Sequence, residues 1–317
     1  METNVVLVTG GLGCIGAWTL YHLAQRGVKA ICFDLGSSRH RLNLLMSADE
    51  QEAITFVPGD LTDFEQVKAA LQDHGVTHIV HLAALQVPFC RANPVMGAQV
   101  NVVGTVNIFE AAKQTGIKHL AQASSIAIYG TPEEYTDITG DDGLMPNSAL
   151  PNPHTLYGVY KVAGEGIASV YWGENGISST ALRPYTVYGL GRDQGMTSEP
   201  TKAMQAAAAG QPYHISFGGT MQFQWASDAA QQFIEAAFRP MEGAHAYNLG
   251  GVPITVEAAA AIIRGIRPDA QITVDPKPLA FPRGFDDAAL RAAMPVYETP
   301  LEEGIRATLE GFERARM

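Results

Sequence analysis

The chain has 317 residues, 46% hydrophobic and 17% charged, with a formal net charge of −11. This supplies the core of one large α/β domain with a smaller lobe, and the acidic balance, with no lysine- or arginine-rich stripe, argues against nucleic acid as a partner. No run of 18 apolar residues occurs, and Met1–Asn4 lacks the basic start of a secretory signal, so neither a membrane span nor export is expected. Cys14, Cys32 and Cys90 have no paired spacing, which fits a reducing cytoplasm without disulfides.

The first element is the buried-strand pattern Val5–Val8, followed at once by Thr9-Gly10-Gly11-Leu12-Gly13-Cys14-Ile15-Gly16 and a helical pattern from Trp18 to Ala24. Gly10, Gly13 and Gly16 recur where strand gives way to helix. Glycine there permits a tight turn with φ > 0, brings backbone N–H groups to a pyrophosphate and lets the helix pack on the strand. The helix N-terminus adds partial positive charge. The next strand, Ala30–Phe33, ends at Asp34, which lies 18 residues beyond Gly16, near the roughly 20 expected of a ribose-binding acid. Its carboxylate accepts hydrogen bonds from an unmodified ribose and repels a 2′-phosphate, so NAD is expected over NADP. Arg39 and Arg41 follow in a polar loop, where they either solvate the surface or face a phosphate.

Strand patterns at Ile54–Val57, His78–Leu82, His119–Ala123 and Ser179–Leu182 alternate with helical stretches. The expected fold is therefore a Rossmann-type, doubly wound parallel sheet with helices on both faces. His78 and His81, three apart in a strand, fall on opposite faces, and no metal site is read. The longest helical candidates, Met96–Thr115 and Tyr157–Trp172, carry small and apolar residues around more than one face, so each is expected to pack on both sides. Beyond Pro184 the pattern breaks into Gly- and Pro-punctuated segments suited to a substrate lobe, while Asp228–Phe238 and Ala246–Leu249 look like a helix and strand returning to the main sheet. The expected division is 1–183 as an NAD-binding domain with 222–250 returning to it, and 184–221 with 251–317 as a discontinuous substrate lobe.

Tyr157 and Lys161 sit four residues apart, on one face of a helix. A phenol with an ordinary pKa of about 10 is a poor base at neutral pH, and lowering it by about 3 units requires about 4 kcal/mol of differential stabilisation. A neighbouring ammonium favours the phenolate. Tyr157 then takes a proton from a substrate hydroxyl as hydride leaves for the cofactor.

Together with Gly59-Asp60-Leu61-Thr62-Asp63, His81-Leu82-Ala83-Ala84, Asn101-Val102-Val103-Gly104-Thr105, Ser124-Ser125-Ile126-Ala127-Ile128-Tyr129-Gly130 and Arg183-Pro184-Tyr185-Thr186-Val187-Tyr188-Gly189, these features resemble the extended short-chain dehydrogenase/reductases of the NAD-dependent epimerase/dehydratase family along nearly the whole chain. The resemblance implies that Ser125, Tyr157 and Lys161 are catalytic. It places Gly10, Gly13, Cys14, Ile15, Gly16 and Asp34 at the dinucleotide, Asp60 and Leu61 at the adenine, and Leu82, Ala83, Ala84 and Asn101 alongside. Lys161 also holds the nicotinamide ribose, and the backbone near Tyr185 and Val187 lies at the carboxamide. Gln86, Ser125, Ile126, Thr186, Arg192 and Arg283 are implied as substrate contacts, and a homodimer is implied through the two long helices.

Dehydratases of this kind carry an Asp-Glu pair just after the catalytic hydroxyl, whereas Ile126 and Ala127 stand here and cannot transfer protons. The stretch from Thr186 through Gly191-Arg192-Asp193 to Phe217–Met221 is similar to sugar-nucleotide 4-epimerases, especially those acting on a nucleotide-linked uronic acid. Such enzymes follow it with an Arg-Asp pair whose arginine grips the diphosphate; Met221-Gln222-Phe223-Gln224-Trp225 replaces it here. Arg283 resembles the second nucleotide-gripping arginine. The expected activity is NAD-dependent epimerisation, by analogy at C4, of a sugar or nucleotide sugar. The alternative is an NAD-dependent dehydrogenase of a free sugar, uronate or small hydroxy acid. A dinucleotide-sensing regulator is disfavoured by the intact Tyr157/Lys161 pair.

Overall fold

The computed structural model describes residues 4–139 and 143–316; Met1–Thr3 of the chain start lie outside it. Strand and helix alternate through β1 (Val5–Thr9), α1 (Cys14–Gln25), β2 (Lys29–Asp34), α2 (His40–Asn43), α3 (Ala48–Gln51), β3 (Ile54–Pro58), α4 (Phe64–Asp73), β4 (His78–His81), α5 (Val87–Ala92), α6 (Pro94–Ala98), α7 (Gly104–Thr115), β5 (His119–Ala123), α8 (Leu156–Asn175) and β6 (Ser178–Arg183). There follow β7 (Thr186–Tyr188), α9 (Glu199–Ala208), β8 (Tyr213–Ile215), β9 (Thr220–Trp225), α10 (Ala226–Phe238), β10 (Ala244–Asn248), β11 (Pro253–Thr255), α11 (Val256–Ile266), β12 (Ile272–Val274), α12 (Ala288–Ala293) and α13 (Leu301–Arg314).

A seven-stranded sheet runs in the order β10-β6-β5-β4-β1-β2-β3, every neighbouring pair parallel. Parallel pairing needs crossovers, and the helices that provide them cover both faces. The alternation of β1 shows why: Val6 and Val8 join the core with Leu20 of α1 and Phe233 of α10, while Val5 and Leu7 join Val67 of α4 and Phe109 of α7 on the opposite face. Each fully buried aliphatic side chain of this kind contributes about 1.5–3 kcal/mol relative to exposure. The doubly wound expectation is met, including the late return of α10 and β10 to the sheet.

Sequence order reverses between β1 and β4, so the crevice lies outside their carboxyl ends. Beside it, β7 and β9 pair in parallel and β11 runs antiparallel to β9, with a separate β12-β8 pair. A third core, with Met204, Phe217, Ile263 and Leu309, lies under these smaller sheets.

The stretch expected as one helix over Met96–Thr115 is divided: α6 passes into a π-helical turn, Gln99–Val103, before α7 begins. The wide turn carries Asn101, whose side chain accepts from Leu85 N at 2.8 Å and donates to Leu85 O at 2.9 Å. One extra residue in the turn thus satisfies the backbone of the loop after β4. Helix α8 begins at Thr155, whose hydroxyl accepts from Gly158 N at 3.1 Å, and ends at Gly176 with φ +64.

Candidate active site

The wall at the ends of β1, β2 and β4 is made largely of backbone. Gly10 has φ +67, and a Cβ there would lie 2.8 Å from the Ala83 backbone; at Gly16 it would lie 2.1 Å from Gly10 O. Glycine is required at both positions to bring strand, turn and helix so close. Helix α1 starts at Gly13 without a side-chain cap, which leaves the N–H groups of its first turn available to a phosphate. Asp34, at the end of β2, accepts from Leu12 N at 3.0 Å and Gly36 N at 2.9 Å. Thr9 Oγ1 accepts from Leu82 N and Ala83 N, both at 3.2 Å, and pairs with His81 Nδ1 at 2.8 Å; His81 Nε2 meets Thr105 Oγ1 at 3.1 Å. This braces the loop carrying Leu82, Ala83 and Ala84. All three line a cleft of about 890 Å³ with Gly10, Gly13, Cys14, Ile15, Gly16, Asp34, Asp60 and Leu61. A glycine cradle, a free helix start and an acid at the second strand suit a dinucleotide.

The two arginines weighed as phosphate ligands have other partners. The Arg39 guanidinium lies 3.5 Å above the Phe56 ring. Arg41 donates to Leu12 O at 2.8 Å, Gly191 O at 3.1 Å and Asp193 Oδ1 at 2.7 Å, linking the glycine turn to the loop after β7.

Ser125, Tyr157 and Lys161 line the same cleft together. Ser125 follows β5 and caps a short 3-10 turn, accepting from Ala127 N at 3.1 Å. A Cβ at Gly158 would fall 2.0 Å from Ala127 O, so glycine in the first turn of α8 lets that helix sit directly on the turn bearing Ser125. Lys161 is buried and donates to Ala123 O at 2.6 Å; its Nζ is 5.6 Å from the Tyr157 ring centroid. Burial lowers the Lys161 amine to about 8. The Tyr157 phenol is raised by burial, and the groups that oppose this are the Ser125 hydroxyl, hydrogen-bonded to it, and the Arg192 guanidinium. Lys161 is itself desolvated and bonded to the β5 carbonyl.

The far wall is built from side chains. Gln86, Ile126 and Arg192, implied as substrate contacts, line it together with Tyr185 and Val187, which the resemblance implies at the carboxamide. Arg192 donates to Thr197 Oγ1 at 3.4 Å, while its buried Nε has no partner among the described residues. Gly195, with φ +101, admits both Gln86 and Arg192: a Cβ there would fall 2.6 Å from Gln86 Oε1. Three expected contacts do not line the cleft. Asn101 stands behind it on Leu85, and Thr186 is fully buried with its hydroxyl on Met221 Sδ at 3.2 Å. Arg283 packs near Gly143, and Leu279, Ala280 and Phe281 form that part of the wall. Met221 is buried, and Gln222 and Gln224 tether the neighbouring loops through Phe285, Gly251 and Leu249. Sequence reading also missed His154 and Asp193, both in the cleft; Asp193 stood in the Gly191-Arg192-Asp193 motif, but His154 carried no signal.

Among the described residues no cluster of His, Cys, Asp or Glu is arranged to hold a metal, and no helix is long and apolar enough to cross a membrane.

The comparisons agree with this geometry. A UDP-glucose 4-epimerase of Mycolicibacterium smegmatis is 32% identical over 266 residues, spanning 82% of this chain and 81% of the relative. UDP-glucuronate 4-epimerase 6 of Arabidopsis thaliana is 32% identical over 189 residues, 58% of this chain but 40% of its own length. The crystal structure of a Thermus thermophilus UDP-glucose 4-epimerase complex with NAD superposes with a TM-score of 0.82 at 25% identity, covering 97% of this chain and 98% of that one. Residues 6–250 match the model of one family, from the glycine turn through the returning strand β10, and the chain belongs to it: the NAD dependent epimerase/dehydratase family.

Proposed function

We propose that this enzyme is an NAD-dependent 4-epimerase of a nucleotide-linked sugar. The observation that carries the reading is the meeting of Ser125, Tyr157 and Lys161 in the cleft that holds the glycine turn. NAD bound along that turn supplies the acceptor for the carbinol hydride and its donor on return. Tyr157, as phenolate, accepts the hydroxyl proton and later gives it back. Ser125 donates a hydrogen bond to the same substrate oxygen as it becomes a carbonyl, and the positive charges of Lys161 and Arg192 favour the phenolate. Inversion requires the ring to present both faces, and a cleft of about 890 Å³ gives it room. Ile126 and Ala127 add no acid or base, so the keto sugar is reduced rather than dehydrated.

Within this reading Gln86, Ile126 and Arg192 contact the substrate, and residues 1–183 with 222–250 form the cofactor domain. The remaining segments form the substrate lobe. A homodimer through α6, the π-helical turn, α7 and α8 is supported by their apolar residues left exposed, Val95, Val103, Val106, Val159 and Val170. Three free cysteines fit a cytoplasmic location.

The test is incubation of the purified protein with NAD and a panel of UDP-glucose, UDP-glucuronate and free sugars. The expected result is a 4-epimer of a UDP-sugar without net NADH. NADH accumulating on a free sugar establishes the dehydrogenase instead, a reading that the 4-epimerase relatives do not favour. Light scattering that finds a monomer at micromolar concentration removes the dimer.

A further inference from the structure

Behind the catalytic trio lies a buried polar network that the proposed chemistry leaves unused. Glu165 continues the four-residue spacing of Tyr157 and Lys161 along the same face of α8. Its Oε1 accepts from Ser124 Oγ at 2.5 Å and from Arg183 Nε at 2.8 Å, and its Oε2 accepts from Arg183 Nη2 at 2.7 Å. Arg183 continues through Nη1 to Tyr129 OH at 2.8 Å, and that hydroxyl donates to Asn248 Oδ1 at 2.9 Å. The Arg183 and Glu165 side chains are only 7% and 15% exposed, so solvent screens this pair little.

The location gives the network its meaning. Ser124 is the residue before Ser125, and Arg183 ends β6, just ahead of the Tyr185 wall. Glu165 therefore joins three elements that converge on the reacting centre: the end of β5, the end of β6 and α8. Gln122 Nε2, which donates to Gly164 O at 3.3 Å, makes a parallel tie between β5 and α8. A cavity of about 10 Å³ lies between Glu165, Lys161, Ser124, Gln122, Asn101 and Thr105, close to the size of one water.

We propose that Glu165 is a positioning residue for hydride transfer: its carboxylate clamps Ser124 and Arg183 to α8 so that Ser125, Tyr157 and Lys161 hold one geometry. A buried ion pair of this kind adds little net stability, because desolvation offsets its attraction, but it selects one arrangement of the elements that it joins. A displacement of about 1 Å at a reacting group costs about 100-fold in rate. The carboxylate also faces Lys161, whose other titratable neighbours are Tyr157 on α8, His81 on β4 and Cys90 on α5; Arg183 is on the far side of Glu165. Cys90 and Glu165 both oppose the lowering of the amine by burial.

The proposal rests on Tyr157 being the proton acceptor, so its test has one arm that needs no substrate. Full-length Glu165→Gln, Glu165→Asp and Ser124→Ala are compared with the wild type for NAD affinity, for kcat and KM on the UDP-sugar that the wild type converts, and for the titration of Lys161 by NMR with ¹³C-labelled lysine. Glu165→Gln is expected to lower kcat about 100-fold and Ser124→Ala about 10-fold, with NAD affinity and KM within about threefold and partial recovery in Glu165→Asp. The Lys161 midpoint falls in Glu165→Gln and stays in place in Ser124→Ala. Wild-type kcat in the folded variants, or kcat and NAD affinity falling in step, overturns the proposal. Should Glu165→Gln fail to fold, Ser124→Ala decides. Should the wild type convert no sugar, the epimerase reading fails on its own, and an unchanged Lys161 midpoint in Glu165→Gln overturns the clamp separately.

Discussion

The two walls of the cleft are made of different material. On the side proposed for the cofactor, the glycine turn and the strand ends bring backbone close together, with Asp34 at the end of β2. On the side proposed for the substrate, Gln86, Arg192 and Phe281 arrive from three separate segments. A backbone wall depends on close approach and fails when bulk is added; a side-chain wall can change its chemistry one residue at a time without disturbing the fold. Hence one family keeps its cofactor while its members differ in substrate.

Substitutions on the two walls should therefore fail differently. Tyr157→Phe, at the junction, should lower kcat about 1000-fold with NAD affinity unchanged, the loss expected of a general acid–base group; retained turnover rejects the assignment. Gly16→Ala adds a Cβ that would lie 2.1 Å from Gly10 O, a backbone atom that cannot step aside. At about 3 kcal/mol for such overpacking, NAD affinity should fall about 100-fold, as read by isothermal titration calorimetry. Arg192→Gln keeps hydrogen-bond donors but removes charge from the substrate wall. It should raise KM about 10-fold and, because the same charge favours the Tyr157 phenolate, lower kcat as well, while leaving NAD affinity alone. If NAD affinity changed instead, Arg192 would belong to the cofactor wall.

The smallest effect is on stability. Burial holds the His81 imidazole down to about 3, so the unfolded chain takes up this proton at higher pH than the folded one. The stabilising contribution is complete above the unfolded value, about 6.5, and declines as pH falls towards 3, by up to about 1.4 kcal/mol per pH unit. The thermal midpoint should accordingly be lower at pH 5 than at pH 7.5. Burial of His22 and His119 acts in the same direction, and an equal midpoint at the two pH values would contradict this prediction.

The same contrast governs what could be read in the sequence. Gly10, Gly13, Gly16 and Asp34 are local, because strand, turn and helix follow one another in the chain, and the strands that position them were legible from their apolar runs. Ser125, Tyr157 and Lys161 were legible through motif spacing. Arg283 does not line the cleft, and nothing in its sequence neighbourhood shows that Leu279–Phe281 turns towards it instead. Thr186 sat in a recognisable motif, yet the pairing of β7 with β9 buries its hydroxyl against Met221, and that pairing joins residues more than thirty apart. The π-helical turn at Gln99–Val103 was hidden for a related reason: its cause is the Leu85 backbone, far from it in sequence.

Because the account makes one carbinol carbon lose and regain the same hydride, the most direct measurement follows the label on that carbon. A UDP-sugar carrying deuterium at C4, incubated with enzyme and NAD in ordinary water, should yield a 4-epimer that keeps its deuterium, with no net NADH and no conversion by Tyr157→Phe. Loss of the deuterium to solvent in the epimer, or a ketone released with stoichiometric NADH, would contradict it.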